Sequence, residues 1–380
     1  MRRSAVLACT FALLLLAGAL YRWSAPTNDD IRDQHLREII ANSQSEFPQR
    51  GLGHDWLDCL TRYWSDKNKA ADRVVCETWT QQGVTSSLIA LQLGEQRIPV
   101  VESRLAGVAS AGPVVLDIQG GPGGLPFLVN EGASDERISN LRRSRMDDWL
   151  PEDIGQSPYK QLLERGYTIA SIGYWGMNLR TLNTPDEFAL AAEDVRLAVD
   201  YYRDKNGADL PLITVSLGNH LALAALGKER IQEMDVLALV PVMDGLQHHL
   251  KRALSAKVAE KEKAESEGHL YGDWAPFNIY KRSSDGLRFD QSRMLPFDEF
   301  ASRFIGNADF PWKGITPRSL CSKVVLGSKD PRTLEYLASV ADLPDFVIAL
   351  DADHNLFKDA PDRSRALFAE FADCIASRRT

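Results

Sequence analysis

The sequence predicts an α/β protein. Its core is a doubly wound, mainly parallel sheet, with a helical cap inserted after the sixth strand and a helical extension at the N-terminus. Three observations carry this reading. From Ser86 onward, short β-branched and aliphatic runs alternate with segments of helical period. The runs are apolar throughout instead of alternating with polar residues, as strands covered on both faces require. With 380 residues, 44% hydrophobic and 25% charged, the chain can bury such a core.

Ser87 to Leu91 and Ile98 to Val101 read as two strands joined by a turn at Gly94. Four further strands are expected at 114–118, 167–172, 212–215 and 236–240, and two more at 324–326 and 346–350. Helical patterns fill the gaps at 187–204, 217–226, 333–340 and 363–375. The alternation stops between about Leu246 and Ser319. There the charged stretch 251–267 reads as a solvated helix and the rest is irregular and rich in aromatic residues. The expected organisation is therefore an N-terminal segment 1–26, a helical extension 27–85, a core in two parts, 86–245 and 320–380, and a cap 246–319 between them.

Residues 1–26 carry two arginines, Arg2 and Arg3, ahead of an uncharged apolar run from Ala5 to Leu20. This is the layout of an export signal, with Ala17-Gly18-Ala19 as a small-residue cleavage site. Tyr21, Arg22 and Trp23 fit equally well as the interfacial flank of an uncleaved membrane anchor. Both readings take the bulk of the chain out of the cytoplasm, to the periplasm or beyond, the second with attachment to the inner membrane. Cys9 lies inside that segment, leaving Cys59, Cys76, Cys321 and Cys374, and an exported chain is expected to pair them 59 with 76 and 321 with 374. A net charge of −8 without a basic stripe excludes nucleic acid as a natural partner. No cysteine or histidine cluster has metal-binding spacing.

Open α/β sheets present ligand sites at the carboxyl ends of their strands, and four exits here carry suggestive residues. After Ile118 comes Gln119-Gly120-Gly121-Pro122-Gly123-Gly124, where backbone N–H groups can closely approach a developing oxyanion. After Val215 comes Ser216-Leu217-Gly218, a serine on a strand-to-helix turn followed by a glycine; Thr214 stands at the other small-residue position. After Leu326 comes Gly327-Ser328-Lys329-Asp330-Pro331, and after Leu350 comes Asp351-Ala352-Asp353-His354. Singly, each has a plain structural reading: a tight turn, a helix N-cap, an Asp-Pro turn and a surface histidine.

Together, in the order serine, acid, histidine, they resemble the α/β-hydrolase superfamily. The GGPGG loop is similar to those of prolyl iminopeptidase-like and prolyl oligopeptidase-like serine peptidases. The resemblance implies Ser216 as nucleophile, His354 as general base, Asp330 as its orienting acid, and the backbone N–H groups of Gly121 and Leu217 as an oxyanion hole. Asp244, at the exit of the sixth strand, is the alternative acid. It implies cleavage of an ester or amide bond in a small molecule or peptide, with no cofactor. Gln119 departs from the usual histidine of the loop, and Tyr174-Trp175-Gly176-Met177-Asn178 departs from the iminopeptidase pattern. Two other readings stay open at this point: a binding protein that kept the fold without turnover, and an acyltransferase using the same triad.

Overall fold

The computed structural model describes residues 72–94, 96–107, 112–120, 157–173, 187–207, 209–249, 280–283, 286–289 and 310–379. The N-terminal signal or anchor, the expected helix 251–267 and Gly121 lie outside these residues.

A nine-stranded sheet organises the molecule. Its strands are β1 (Arg73–Gln81), β2 (Val84–Leu93), β3 (Gln96–Leu105), β4 (Val114–Ile118), β5 (Thr168–Ile172), β6 (Leu212–Val215), β7 (Val236–Leu239), β10 (Lys323–Gly327) and β11 (Val347–Leu350), while β8 (Tyr280–Ser283) and β9 (Gly286–Phe289) form a separate hairpin. The spatial order is β1-β2-β3-β5-β4-β6-β7-β10-β11. Strands β1, β2 and β3 pair antiparallel, and β3 pairs antiparallel to β5. From β5 to β11 every pairing is parallel. This mainly parallel, doubly wound sheet with its crossed β5-β4 order is the α/β-hydrolase fold.

Successive strand residues point to opposite faces, so the central strands feed two cores. Val115, Ile169, Ile213, Leu237 and Val325 enter one, beneath α1 (Lys160–Glu164), α5 (Leu356–Asp359) and α6 (Pro361–Ser377). Leu116, Ala170, Leu212, Ala238 and Val324 enter the other, beneath α2 (Glu187–Asn206) and α3 (Leu217–Glu233). The short helix α4 (Leu334–Ser339) follows β10. Within α3 the helical geometry breaks at Gly227, whose φ is 75°.

The helical extension expected for 27–85 is corrected at its end, because Arg73–Gln81 is a strand. Val74, Val75, Thr78 and Thr80 favour extended backbone, and Gln82-Gly83, with φ of 47° and 78°, makes the two-residue turn that folds β1 onto β2. The expected Cys321–Cys374 disulfide is present, with Cα atoms 5.5 Å apart, and ties α6 to the segment entering β10. Cys76 is also disulfide-bonded; Cys59, its expected partner, lies outside the described residues. Among the described residues no helix is long and apolar enough to cross a membrane.

Candidate active site

The strand order decides which loops can meet. Because β4 lies between β5 and β6, the exits of β4 and β6 are neighbours, and those of β10 and β11 lie side by side one strand beyond β7. Ser216, Gln119, Asp330 and His354 follow those four exits.

Ser216 sits between β6 and α3 with φ 49° and ψ −116°, a conformation that non-glycine residues rarely adopt. Holding it there costs roughly 1–3 kcal/mol, and the surroundings over-determine it. Its N–H donates to the Leu239 carbonyl at 2.9 Å. A methyl group at Gly218 would stand 2.1 Å from the Ile118 carbonyl oxygen, and one at Gly120 would stand 2.7 Å from Ser216 Cβ. Both glycines are therefore demanded by the close approach of the β4 exit to the serine turn.

Thr214, at the other small-residue position of this turn, is fully buried and accommodated. Its hydroxyl donates to Asn219 Oδ1 at 2.6 Å, and Asn219 Nδ2 donates to the carbonyls of Ser216 and Leu239 at 3.0 and 2.7 Å. Ser216 precedes α3 without capping it through its side chain. Its Oγ instead lies 3.0 Å from His354 Nε2.

His354 Nδ1 lies 2.6 Å from Asp330 Oδ2. Since a carboxylate can only accept, Nδ1 donates there and Nε2 is left to accept the Ser216 proton. Asp330 is fully buried, and its second oxygen accepts the Arg332 backbone N–H at 3.0 Å and the Arg332 guanidinium at 3.1 Å. Burial alone would raise the Asp330 pKa. The hydrogen bond and charge of His354, with Arg332 behind them, outweigh it and hold the carboxyl below its ordinary value.

Leu217 opens α3, so its N–H is among those a helix leaves without an internal acceptor. Asp244 is not brought to His354; it pairs with Lys313 at 3.5 Å. Asp351 pairs with Lys329 at 2.9 Å, and Asp353 accepts the His354 backbone N–H at 2.7 Å. Among the described residues no group of three or more histidine, cysteine or carboxylate side chains could hold a metal ion.

Two buried groups near the site carried no legible signal in the sequence. Asp117, inside β4, is fully buried and accepts Tyr159 Oη and Gln119 Nε2 on Oδ1 at 2.8 and 2.6 Å, and Ser171 Oγ on Oδ2 at 2.7 Å. Burial pushes its pKa up to about 6, against the pull of those three donors. His220, one turn into α3, accepts the Val242 N–H on Nε2 at 3.1 Å, so its Nδ1 donates to the Phe310 carbonyl at 2.9 Å. Burial depresses its pKa to about 4. Phe310 stacks on Phe188 with ring centroids 5.6 Å apart, so this histidine pins the return of the inserted segment to the sheet.

No protein-family model matches the sequence, and no curated protein aligns with it significantly. Among solved structures, an epoxide hydrolase mutant from Vigna radiata is 13% identical, with 77% of this chain and 99% of that chain covered, at a TM-score of 0.42. A proline iminopeptidase from Mycobacterium smegmatis is 11% identical, covering 77% and 100%, at 0.41. A thioesterase domain from the curacin biosynthetic pathway is 13% identical, covering 74% and 98%, at 0.36. At such distances the chemistry has to be read from this chain's own residues.

Proposed function

We propose that this chain is an exported serine hydrolase that cleaves an ester or amide bond through an acyl-enzyme. The observation that supports it is the unbroken hydrogen-bonded line from Ser216 through His354 to Asp330, with the serine on a strained turn. A serine held for any other purpose gains nothing from that strain, which argues against a binding protein without turnover. Export is supported by the N-terminal sequence and by the disulfides.

In the proposed reaction Ser216 Oγ forms a bond to the substrate carbonyl carbon as its proton passes to His354 Nε2. The carbonyl oxygen becomes an oxyanion facing the backbone N–H groups of Leu217 and Gly121. Asp330 keeps the imidazole oriented and balances its charge. The proton on Nε2 then goes to the departing alcohol or amine as its bond to carbon breaks. Water repeats the sequence and frees the acid and the serine. An alcohol or amine taking water's place would make the same site an acyltransferase.

The test is intact-mass analysis after treating the purified protein with a fluorophosphonate. One adduct per chain, absent from Ser216→Ala, is the expected result. A folded wild-type protein that takes up no label, or a variant that labels equally, overturns the assignment.

A further inference from the structure

The Gln119-Gly120 backbone is gripped from two sides. Toward the site, Gly120 lies against Ser216, and the Ile118 and Gln119 carbonyls leave no room for a side chain at Gly218. Away from it, the Gln119 side chain turns back into the core, 4% exposed, and donates from Nε2 to both Asp117 Oδ1 and Tyr159 Oη at 2.6 Å. Tyr159 is itself fixed, fully buried and edge-on to Phe368 and Phe357 with centroids 5.0 and 6.1 Å away.

A carboxylate placed in that core without a cation is costly, and stability alone would favour an apolar residue there. The groups facing Asp117 are Gln119 from its own strand exit, Tyr159 from the turn before α1 and Ser171 from β5, and all are neutral. What the arrangement does achieve is a fixed position for the backbone leaving β4 at Gln119 and Gly120.

We propose, building on the serine-hydrolase reading, that Asp117, Tyr159 and Gln119 form a positioning network that holds the Gln119-Gly120 backbone against Ser216, where the oxyanion forms. The network touches no reacting atom. It acts through one backbone segment, so it governs transition-state stabilisation more than substrate affinity. Ionised, Asp117 offers lone pairs to all three donors; protonated, it becomes a donor itself, turns the Ser171 bond round, and as a neutral carboxyl holds Gln119 and Tyr159 more weakly. Turnover therefore falls when Asp117 gains its proton. The Tyr159 hydrogen bond stabilises the ionised carboxylate, so its removal moves that loss to higher pH.

The experiment measures kcat, KM and the pH dependence of kcat for p-nitrophenyl acetate hydrolysis by the full-length protein. The variants are Tyr159→Phe, Gln119→Leu and Gln119→His, with thermal melting to check folding and Ser216→Ala to define the turnover that counts. Tyr159→Phe and Gln119→Leu are expected to lower kcat about tenfold or more, within the 10²–10³ that loss of a whole oxyanion donor costs, with KM changed less than about twofold. The acid limb of Tyr159→Phe is expected at higher pH, and Gln119→His, which keeps an N–H donor, should retain more kcat than Gln119→Leu. Folded variants with unchanged kcat, or an unmoved acid limb in Tyr159→Phe, overturn the inference. A wild type whose turnover survives Ser216→Ala overturns the functional reading instead. If Gln119→Leu does not fold, Tyr159→Phe, which removes one hydroxyl, decides alone.

Discussion

Asp330 and Asp117 are both fully buried carboxylates at the same end of one sheet, yet their ionisation is pushed in opposite directions. Burial raises both. Asp330 meets an imidazole and a guanidinium, whose charge more than compensates. Asp117 meets only an amide, a phenol and a hydroxyl, which soften the penalty without cancelling it. Asp117 is also the more deeply desolvated of the two, so the partner's charge and the depth of burial together decide what a buried acid can be used for. One is suited to holding a positive imidazole during turnover; the other is suited to holding neutral groups still.

The strongest way to break this contrast is to neutralise each acid in turn. Asp330→Asn is expected to lower kcat by roughly 10⁴, as an amide no longer enforces the productive imidazole tautomer. Asp117→Asn should cost at most about 10², and Asp244→Asn, whose carboxylate pairs with Lys313, less than about twofold. Kinetics on one ester substrate checks all three. Equal losses in Asp330→Asn and Asp244→Asn would remove Asp330 from its role.

A second contrast pairs Asp117 with His220, also fully buried and shifted by burial but of opposite charge type. Asp117 rises from 3.8 to about 6, so its favourable contribution is complete below pH 3.8 and is lost as pH rises toward 6. His220 falls from 6.5 to about 4, so its contribution is complete above pH 6.5 and is lost as pH falls toward 4. Each amounts to about 3 kcal/mol, and over pH 4 to 6 they oppose one another. Asp330, held low, acts below this window. Urea unfolding across pH 4 to 6 should therefore show stability rising with pH in Asp117→Asn and falling with pH in His220→Gln, relative to a flatter wild type. Parallel curves would mean that these two groups do not set the profile.

What the sequence disclosed, and what it hid, follows the same division. The four strand exits were legible because serine, glycine, aspartate and histidine stand directly after apolar runs, where a parallel sheet must place its ligand site. Strand β1 was missed because it is partly exposed, with Val75 at 45%, and so polar enough to pass for helix; the Gln82-Gly83 turn was the overlooked cue. Asp117 was hidden because one polar residue in VVLDI does not disturb a strand pattern, and its partners Tyr159 and Ser171 lie 42 and 54 positions away. The support of the Thr214 turn was hidden because Asn219, which bonds Thr214 across the turn, is anchored by the Leu239 carbonyl only when β7 is laid beside β6.

The smallest effect, and the one that sharpens the comparison most finely, concerns Arg332. Its guanidinium is 33% exposed, so solvent and salt weaken its hold on Asp330. Replacing it by glutamine leaves the backbone N–H on Asp330 in place and removes the guanidinium hydrogen bond and its positive charge. That loss favours protonation of Asp330, and the acid limb of the kcat/KM profile should move to higher pH. Activity well above that limb should change less than about threefold, because the line from Ser216 to Asp330 is retained. Raising the salt concentration should carry the wild-type limb toward that of Arg332→Gln while leaving the variant nearly still. A limb that stays in place, or moves to lower pH, would mean that His354 and the backbone alone account for the low pKa of Asp330. The difference between the two buried acids would then rest on a single imidazole.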